Sequence, residues 1–258
     1  MPWLNTLLAT IEDGATRGEP VAVVRALDVA SGKTFTATVS QGELFPPIRD
    51  EKITENALEA VASLMAKGGI ADLVDATNEK GSPVRIAIEI VRPRFELMVF
   101  GGGHVGQAVA LMGALTGYEV TVIDDREEFA SRNRLPDQRI RLLVSDYDSA
   151  SAKLRITAST AVVIVTRGHQ YDEVCLKQVI GSKATYIGMI GSRRRVTSVF
   201  KKLAGEGVSQ QDLERVHAPI GLRIGAVSPQ EIAVSILAEI IAHLNNSAHD
   251  YKGERNAI

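Results

Sequence analysis

Leu97-Met98-Val99-Phe100-Gly101-Gly102-Gly103-His104-Val105-Gly106 is the stretch on which the reading of this chain turns. Its first four residues are apolar and read as a short buried strand. Glycines then fall at 101, 103 and 106, and Gln107–Thr116 continues as a helix. Each glycine has a physical job in such a turn. Gly101 allows the tight turn, Gly103 lets the backbone approach a ligand, and Gly106 lets the helix lie against the strand. The helix N-terminus then presents free N–H groups and a positive dipole end to an anion. A glycine pattern alone is weak, but here Glu119–Ile123 follows as a second strand and ends at Asp124-Asp125. A glycine loop between strand and helix, followed by a strand with a terminal acid, is the context of a nucleotide-type phosphate loop.

Strand-like and helical stretches keep alternating beyond it. Ile140–Val144, Ala161–Val165 and Thr185–Ile187 read as strands, and Tyr171–Ile180 and Ser192–Ala204 as helices. A last helix is expected from Ser228 to about Leu244, with Ser228 as cap, Pro229 at its first position and Glu231 completing a capping box. This alternation predicts an α/β, Rossmann-like, doubly wound parallel sheet over residues 95–246. Before it, Trp3–Glu12 reads as a helix stopped by Gly14. Pro20–Leu27 and Lys33–Val39 read as a hairpin, Thr54–Lys67 as a helix and Pro83–Val91 as an alternating strand. Residues 1–94 therefore form a small α+β domain, with Arg92-Pro93-Arg94 as linker, and residues 247–258 a polar tail.

Composition narrows the classes. The 258 residues are 45% hydrophobic and 23% charged, with a formal net charge of -2, which is ordinary soluble composition. No basic stripe suggests nucleic acid. No apolar run reaches the ~18 residues of a membrane span, and Met1-Pro2-Trp3-Leu4-Asn5 does not read as a signal peptide. The expectation is a cytoplasmic protein. Cys175 is the sole cysteine, so an intrachain disulfide and a multi-cysteine metal site are both excluded, and it reads as a core residue. Nothing matches G-x-S-x-G, HExxH or a P-loop Lys-Ser pair.

Candidate ligand contacts follow from the strand ends. Gly101, Gly103, His104 and Gly106 form the loop. Asp124 stands where an acid commonly meets a ribose 2′-OH, while Asp125 and Arg126 leave NAD against NADP open. The strand Val162–Val165 should lie beside the glycine-loop strand, bringing Thr166, His169 and Asp172 near His104. His104, His169 and Asp172 are the candidates for proton transfer or for orienting a polar ring. Two histidines could make part of a metal site, but no third ligand is evident, so none is assigned. Gly191, Ser192 and Arg193 open a helix with three successive arginines. Basic residues oppose the dipole there, which suggests an anion, an acidic partner or another subunit. Ala218–Ala226, with glycines at 221 and 225, reads as a pocket wall, a dimer contact or a tight connection.

These segments together resemble the XdhC/CoxI family of accessory proteins of xanthine dehydrogenase and related molybdenum hydroxylases. The resemblance rests on Phe100–Val105, Val122–Arg126, Val165–His169, Tyr186–Arg194, Ala218–Leu222 and Ser228–Ile236, in order over about 150 residues. It implies a protein that binds the molybdenum cofactor (molybdopterin), a phosphorylated pterin. Such a protein protects the cofactor while a cysteine desulfurase supplies a terminal sulfur, and assists insertion into the hydroxylase. A homodimer is also compatible. The N-terminal domain departs from the family. Gly-Ser-x-Pro-Arg and Gly-Gly-Cys-x-Glu stretches found in many members are absent, and Ser31-Gly32-Lys33 and Ser40-Gln41-Gly42-Glu43 stand in that region. Any role of that cysteine is therefore not carried over. Arg223 stands where an acid is expected in a Gly-Leu-x-Ile-Gly stretch. The alternatives from the residues themselves are an NAD(P)-dependent oxidoreductase using Asp124 and one of the histidines, and a nucleotide-binding sensor.

Overall fold

The structure, a computed structural model, describes residues 2–245, and among these not the side chains of Pro2, Trp3, Ser151 and His169. The polar tail read from the sequence lies outside the described residues. Two compact units, Met1–Pro93 and Arg94–Ile258, divide the chain.

The first unit begins with α1 (Pro2–Arg17), followed by β1 (Val21–Asp28), β2 (Thr34–Ser40), β3 (Glu43–Phe45), α2 (Glu51–Ala66), β4 (Ala71–Thr77) and β5 (Pro83–Val91). The strands form one antiparallel sheet in the order β3-β2-β1-β5-β4. β5 alternates exposed and buried residues along its length, so Val84, Ile86, Ile88 and Ile90 face the core and Arg85, Ala87 and Glu89 face away. Helix α2 turns Ile53, Ala57, Val61 and Leu64 to that core, and Asp50 caps it by accepting from the Ile53 N–H at 3.0 Å. The expected stop at Gly14 is corrected: α1 runs through it. A Cβ there would overlap the Val21 side chain, so the glycine serves close packing rather than termination. Strand β4 was not foreseen, because its largely exposed ADLVDAT sequence has no alternation to betray it.

The second unit contains β6 (Glu96–Phe100), α3 (His104–Leu115), β7 (Glu119–Asp124), β8 (Arg141–Val144), β9 (Thr160–Ile164) and α4 (His169–Val179). It continues with β10 (Tyr186–Met189), α5 (Arg193–Gly205), α6 (Gln210–Glu214), β11 (Val216–His217) and α7 (Pro229–Leu244). Its six strands are parallel in the order β11-β10-β9-β6-β7-β8. This is the expected doubly wound sheet, with β9 beside β6 as read from the sequence. The inner strands are buried without alternation because both faces are covered. One face packs Met98, Phe100, Val162 and Ile164 with Cys175, Leu176 and Val179 of α4 and Val196, Val199 and Leu203 of α5. The other packs Leu97, Val99, Ala161 and Val163 with Val109 and Ala110 of α3 and Ala233, Ile236 and Ile240 of α7. The capping box of α7 is present: Ser228 accepts from the Glu231 N–H, and the Glu231 carboxylate accepts from the Ser228 N–H at 2.9 Å.

Cys175 lies fully buried in α4, and burial pushes its thiol well above the ordinary range, with the Asp172 charge adding to the rise. An aromatic disulfide reagent is expected to leave Cys175 untouched in the native protein. It should modify it at the rate of global unfolding in denaturant. Rapid modification of the native protein would contradict the placement of α4.

Candidate functional site

All six parallel strands end on one edge. At its centre β6 and β9 are neighbours, yet the helices that follow them, α3 and α4, cover opposite faces. A crevice opens where connections diverge in this way, and ligands of open α/β sheets bind there.

The glycine loop forms one wall. Gly101 has φ +109°, and a Cβ on it would meet the Val165 carbonyl. Its N–H donates to the Ile123 carbonyl at 2.7 Å. A Cβ on Gly106 would overlap the Gly101 carbonyl oxygen, so a glycine there is required for helix and loop to touch. Gly103 is the N-cap of α3, with extended backbone and no side-chain cap, and nothing lies within 4 Å of where its Cβ would stand. The first turn of α3 thus offers N–H groups to open space, the arrangement that receives an anion. His104 is exposed at its first position.

Asp124, fully buried at the end of β7, has a different set of partners from the one its position suggested. Its Oδ2 accepts from the Gly102 N–H at 2.8 Å and from Arg126 Nη2 at 3.1 Å. Its Oδ1 accepts from the Arg126 N–H and from Arg126 Nε, both at 3.0 Å. A carboxylate has about four acceptor sites, and four N–H donors engage them. Asp124 therefore clamps the glycine loop to the next turn. Arg126 lies 3.4 Å from the centre of the Phe129 ring, Arg134 stands 4.4 Å from it, and the Phe129 carbonyl abuts Gly102.

Asp125 is paired with Arg167, with Nη2 2.7 Å from Oδ2, and this hydrogen-bonded guanidinium holds the Asp125 carboxyl below its usual range. Asp125 follows β7 and Arg167 follows β9, so the pair bridges across the end of β6. Arg167 also lies 4.2 Å from the centre of the Tyr171 ring. Sequence reasoning did not single out Arg167, since an isolated arginine beside a glycine carries no pattern.

On the other side of the crevice, Thr166 and Asp172 are bonded to one another. Thr166 Oγ1 is 2.5 Å from Asp172 Oδ1, and the Thr166 N–H donates to the same oxygen at 3.2 Å. Asp172 is fully buried and also holds Arg195 of α5. Its carboxylate therefore acts on the rim by positioning Thr166 and Arg195. His169 opens α4, but its side chain lies outside the described residues. Among the described residues, no group of three His, Cys, Asp or Glu could hold a metal ion.

The three arginines of α5 separate into different roles. Arg195 is anchored to Asp172, while Arg193 and Arg194 are exposed. Ser192 caps the helix by accepting from the Arg195 N–H at 3.3 Å. Gly191 and Arg193 line a cleft of about 730 Å³ whose far wall is the 218–226 loop. That loop is pinned to α7. Buried Glu239 accepts from Tyr186 Oη at 3.0 Å and from the Gly221 N–H, and His217 Nδ1 stands 3.2 Å from its Oε1. Glu239 was missed, although a lone carboxylate within the apolar run of α7 was the available signal.

Residues 97–240, more than half of the sequence, match the family model of the XdhC Rossmann domain. The chain belongs to the XdhC family. Among its relatives, the uncharacterized protein YqeB of Escherichia coli K12 is 32% identical over 77% of this chain and 37% of its own length. A protein of Bacillus subtilis described as a probable xanthine dehydrogenase subunit is 29% identical over 60% of this chain and 44% of that protein. The molybdenum cofactor insertion chaperone PaoD of E. coli K12 is 28% identical over 58% of this chain and 40% of that protein. The chain thus spans less than half the length of each of these relatives. A crystal structure of a xanthine dehydrogenase from Bacillus halodurans shares the fold at a TM-score of 0.63, with 22% identity over 95% of this chain and 65% of that one. The resemblance read from the sequence holds for the XdhC family. Among the described residues, no helix is long and apolar enough to cross a membrane.

Proposed function

We propose that this XdhC-family chain is a maturation factor for a molybdenum hydroxylase of the xanthine dehydrogenase type. In this reading it holds the molybdenum cofactor while a cysteine desulfurase supplies the terminal sulfur, and then passes the cofactor to the enzyme. The names of two relatives, one an insertion chaperone for this cofactor and the other a probable component of xanthine dehydrogenase, support that client class. The observation that carries the reading is the uncapped first turn of α3 at the end of a loop whose Gly101, Gly102 and Gly106 leave no room for a side chain. It suits the phosphate of a phosphorylated pterin, held by backbone N–H groups at Gly103 and His104. In this reading His104, exposed at the start of α3, and Thr166, just past the end of β9, are the candidates to orient the ring, with His169 a further candidate from the sequence alone, and the cofactor itself supplies the metal and its sulfur chemistry. Cys175 is the sole cysteine of this sequence and is buried, so no thiol of the described chain is placed to carry sulfur to the rim.

The saturated Asp124 argues against the dinucleotide alternative, because a ribose hydroxyl would have to displace the Arg126 guanidinium or a backbone N–H. The test is a thermal-melt panel with isolated molybdenum cofactor, NADH and NADPH, each at about 100 times its dissociation constant. Binding at that level adds ~2.7 kcal/mol, enough to raise the melting point by several degrees. A shift with the molybdenum cofactor, lost in Gly103→Asp, is expected. A shift with NADH or NADPH alone would overturn the reading.

A further inference from the structure

We propose that the cleft over the ends of β10 and β11 is a second binding site, for a small organic acid with an apolar body, and that Arg193 and Arg223 hold its anionic group. The cleft measures about 730 Å³, within the ~300–1,000 Å³ of small-molecule sites. Its apolar walls come from Ile190, Val196, Ile220 and Ile232. The hydroxyls in it are already engaged: Thr197 Oγ1 donates to the Arg193 carbonyl at 3.0 Å and Ser235 Oγ to the Leu222 carbonyl at 2.6 Å. Two guanidiniums remain, those of Arg193 and Arg223. Both are exposed, and neither has an ion-pair or hydrogen-bond partner among the described residues. No acidic residue lines the cleft.

The electrostatics of the cleft suit an anion. Arg193 sits in the first turn of α5, where the helix dipole repels a cation, and Arg223 brings a second positive charge to the same cleft. An anion between them removes both penalties, and planar guanidiniums suit the paired oxygens of a carboxylate or phosphate. The apolar walls favour a ligand whose body leaves water, so inorganic anions alone gain little. The site is built rather than incidental. Glu239 fixes the Gly221 turn, Ser235 fixes Leu222, and Gly221 has φ +97° with its Cβ position blocked by the Ser235 hydroxyl. β10 and β11 lie two and three strands from β6, roughly 10 and 14 Å at the usual spacing, and no residue of the glycine loop lines this cleft. The proposal does not depend on what that loop holds.

The probes are 4-methylumbelliferyl phosphate and coumarin-3-carboxylate, fused apolar rings bearing the two anions, titrated into the full chain and followed by fluorescence. Neutral 4-methylumbelliferone is the control. Saturable one-to-one binding of at least one anion is expected, with the control at least about tenfold weaker. The tighter anion identifies the ligand class. Arg193→Gln and Arg223→Gln should each weaken binding about tenfold, and the double variant should abolish it, with helical content unchanged by circular dichroism. Gly103→Asp, which blocks the glycine loop, should leave the affinity intact. No saturable binding up to millimolar probe overturns the proposal. So does an affinity untouched by the double arginine variant, or one lost in Gly103→Asp.

Discussion

Alanine at position 106 is expected to destabilise the second unit by ~3 kcal/mol or more, lowering its melting point by roughly 10 °C. The added methyl would overlap the Gly101 carbonyl oxygen, and that oxygen belongs to backbone that cannot swing aside. Gly101 is itself fixed, because its N–H is bonded to the Ile123 carbonyl and the Val165 carbonyl stands over its Cα. Either α3 must move off the sheet, breaking its packing on α7, or the loop must open. Alanine at position 103 is the contrast. Its methyl would enter open space, so a cost under about 1 kcal/mol is expected in urea denaturation. Under the proposed phosphate-binding role the added methyl crowds the N-terminus of α3, so Gly103→Ala should hold the fold and lose ligand affinity. Equal stability of the two variants would mean that the loop does not pack as described.

Asp124→Asn is expected to cost about 2–4 kcal/mol, although it preserves shape and volume. Asparagine presents one oxygen and one NH₂ where four N–H donors converge, so at least one donor faces another donor at a fully buried position. The melting point reads the loss. A double-mutant cycle with Arg126→Ala apportions it: in the Arg126→Ala background the cost of Asp124→Asn should fall, since two side-chain bonds are already gone. A ribose-binding role predicts a different result, with stability near wild type and weakened NADH binding. That outcome would reassign Asp124 from clamp to ligand contact.

Much of this protein was legible without coordinates, and the reason is local. The strand-glycine-helix turn from Leu97 to Gly106 has few alternatives, because small residues at 101 and 106 are demanded by backbone proximity that any such turn shares. Apolar runs at β6 and β9 read as buried strands, and the strand–helix alternation around them announced a parallel sheet with covering helices. Ser228, Pro229 and Glu231 announced the start of α7 because a capping box involves residues three apart. Gly14 was misread for the complementary reason. Its role is contact with Val21 across a turn, and the sequence around it offers a helix stop just as readily. β4 escaped because an exposed strand has no hydrophobic period to display.

The residues at the strand ends show where local reading runs out. Asp124, Thr166, Asp172 and Arg193 were all found by their position after a strand or at a helix start. Which of them faces a ligand depends on partners near and far along the chain. Asp124 turned inward because Arg126 folds back on it, and Asp172 because Arg195 arrives from α5. Arg193 and Arg195 are two residues apart in the same basic run, yet a helix sends them to different sides, one to a cleft and one to a buried carboxylate. Sequence alone determined the architecture, the glycine loop and the inventory of charged groups, since these follow from nearest-neighbour sterics and periodicity. Tertiary structure decided which charges are neutralised and which remain open to a ligand, since ion pairing is set by distances in space that the order of residues does not encode.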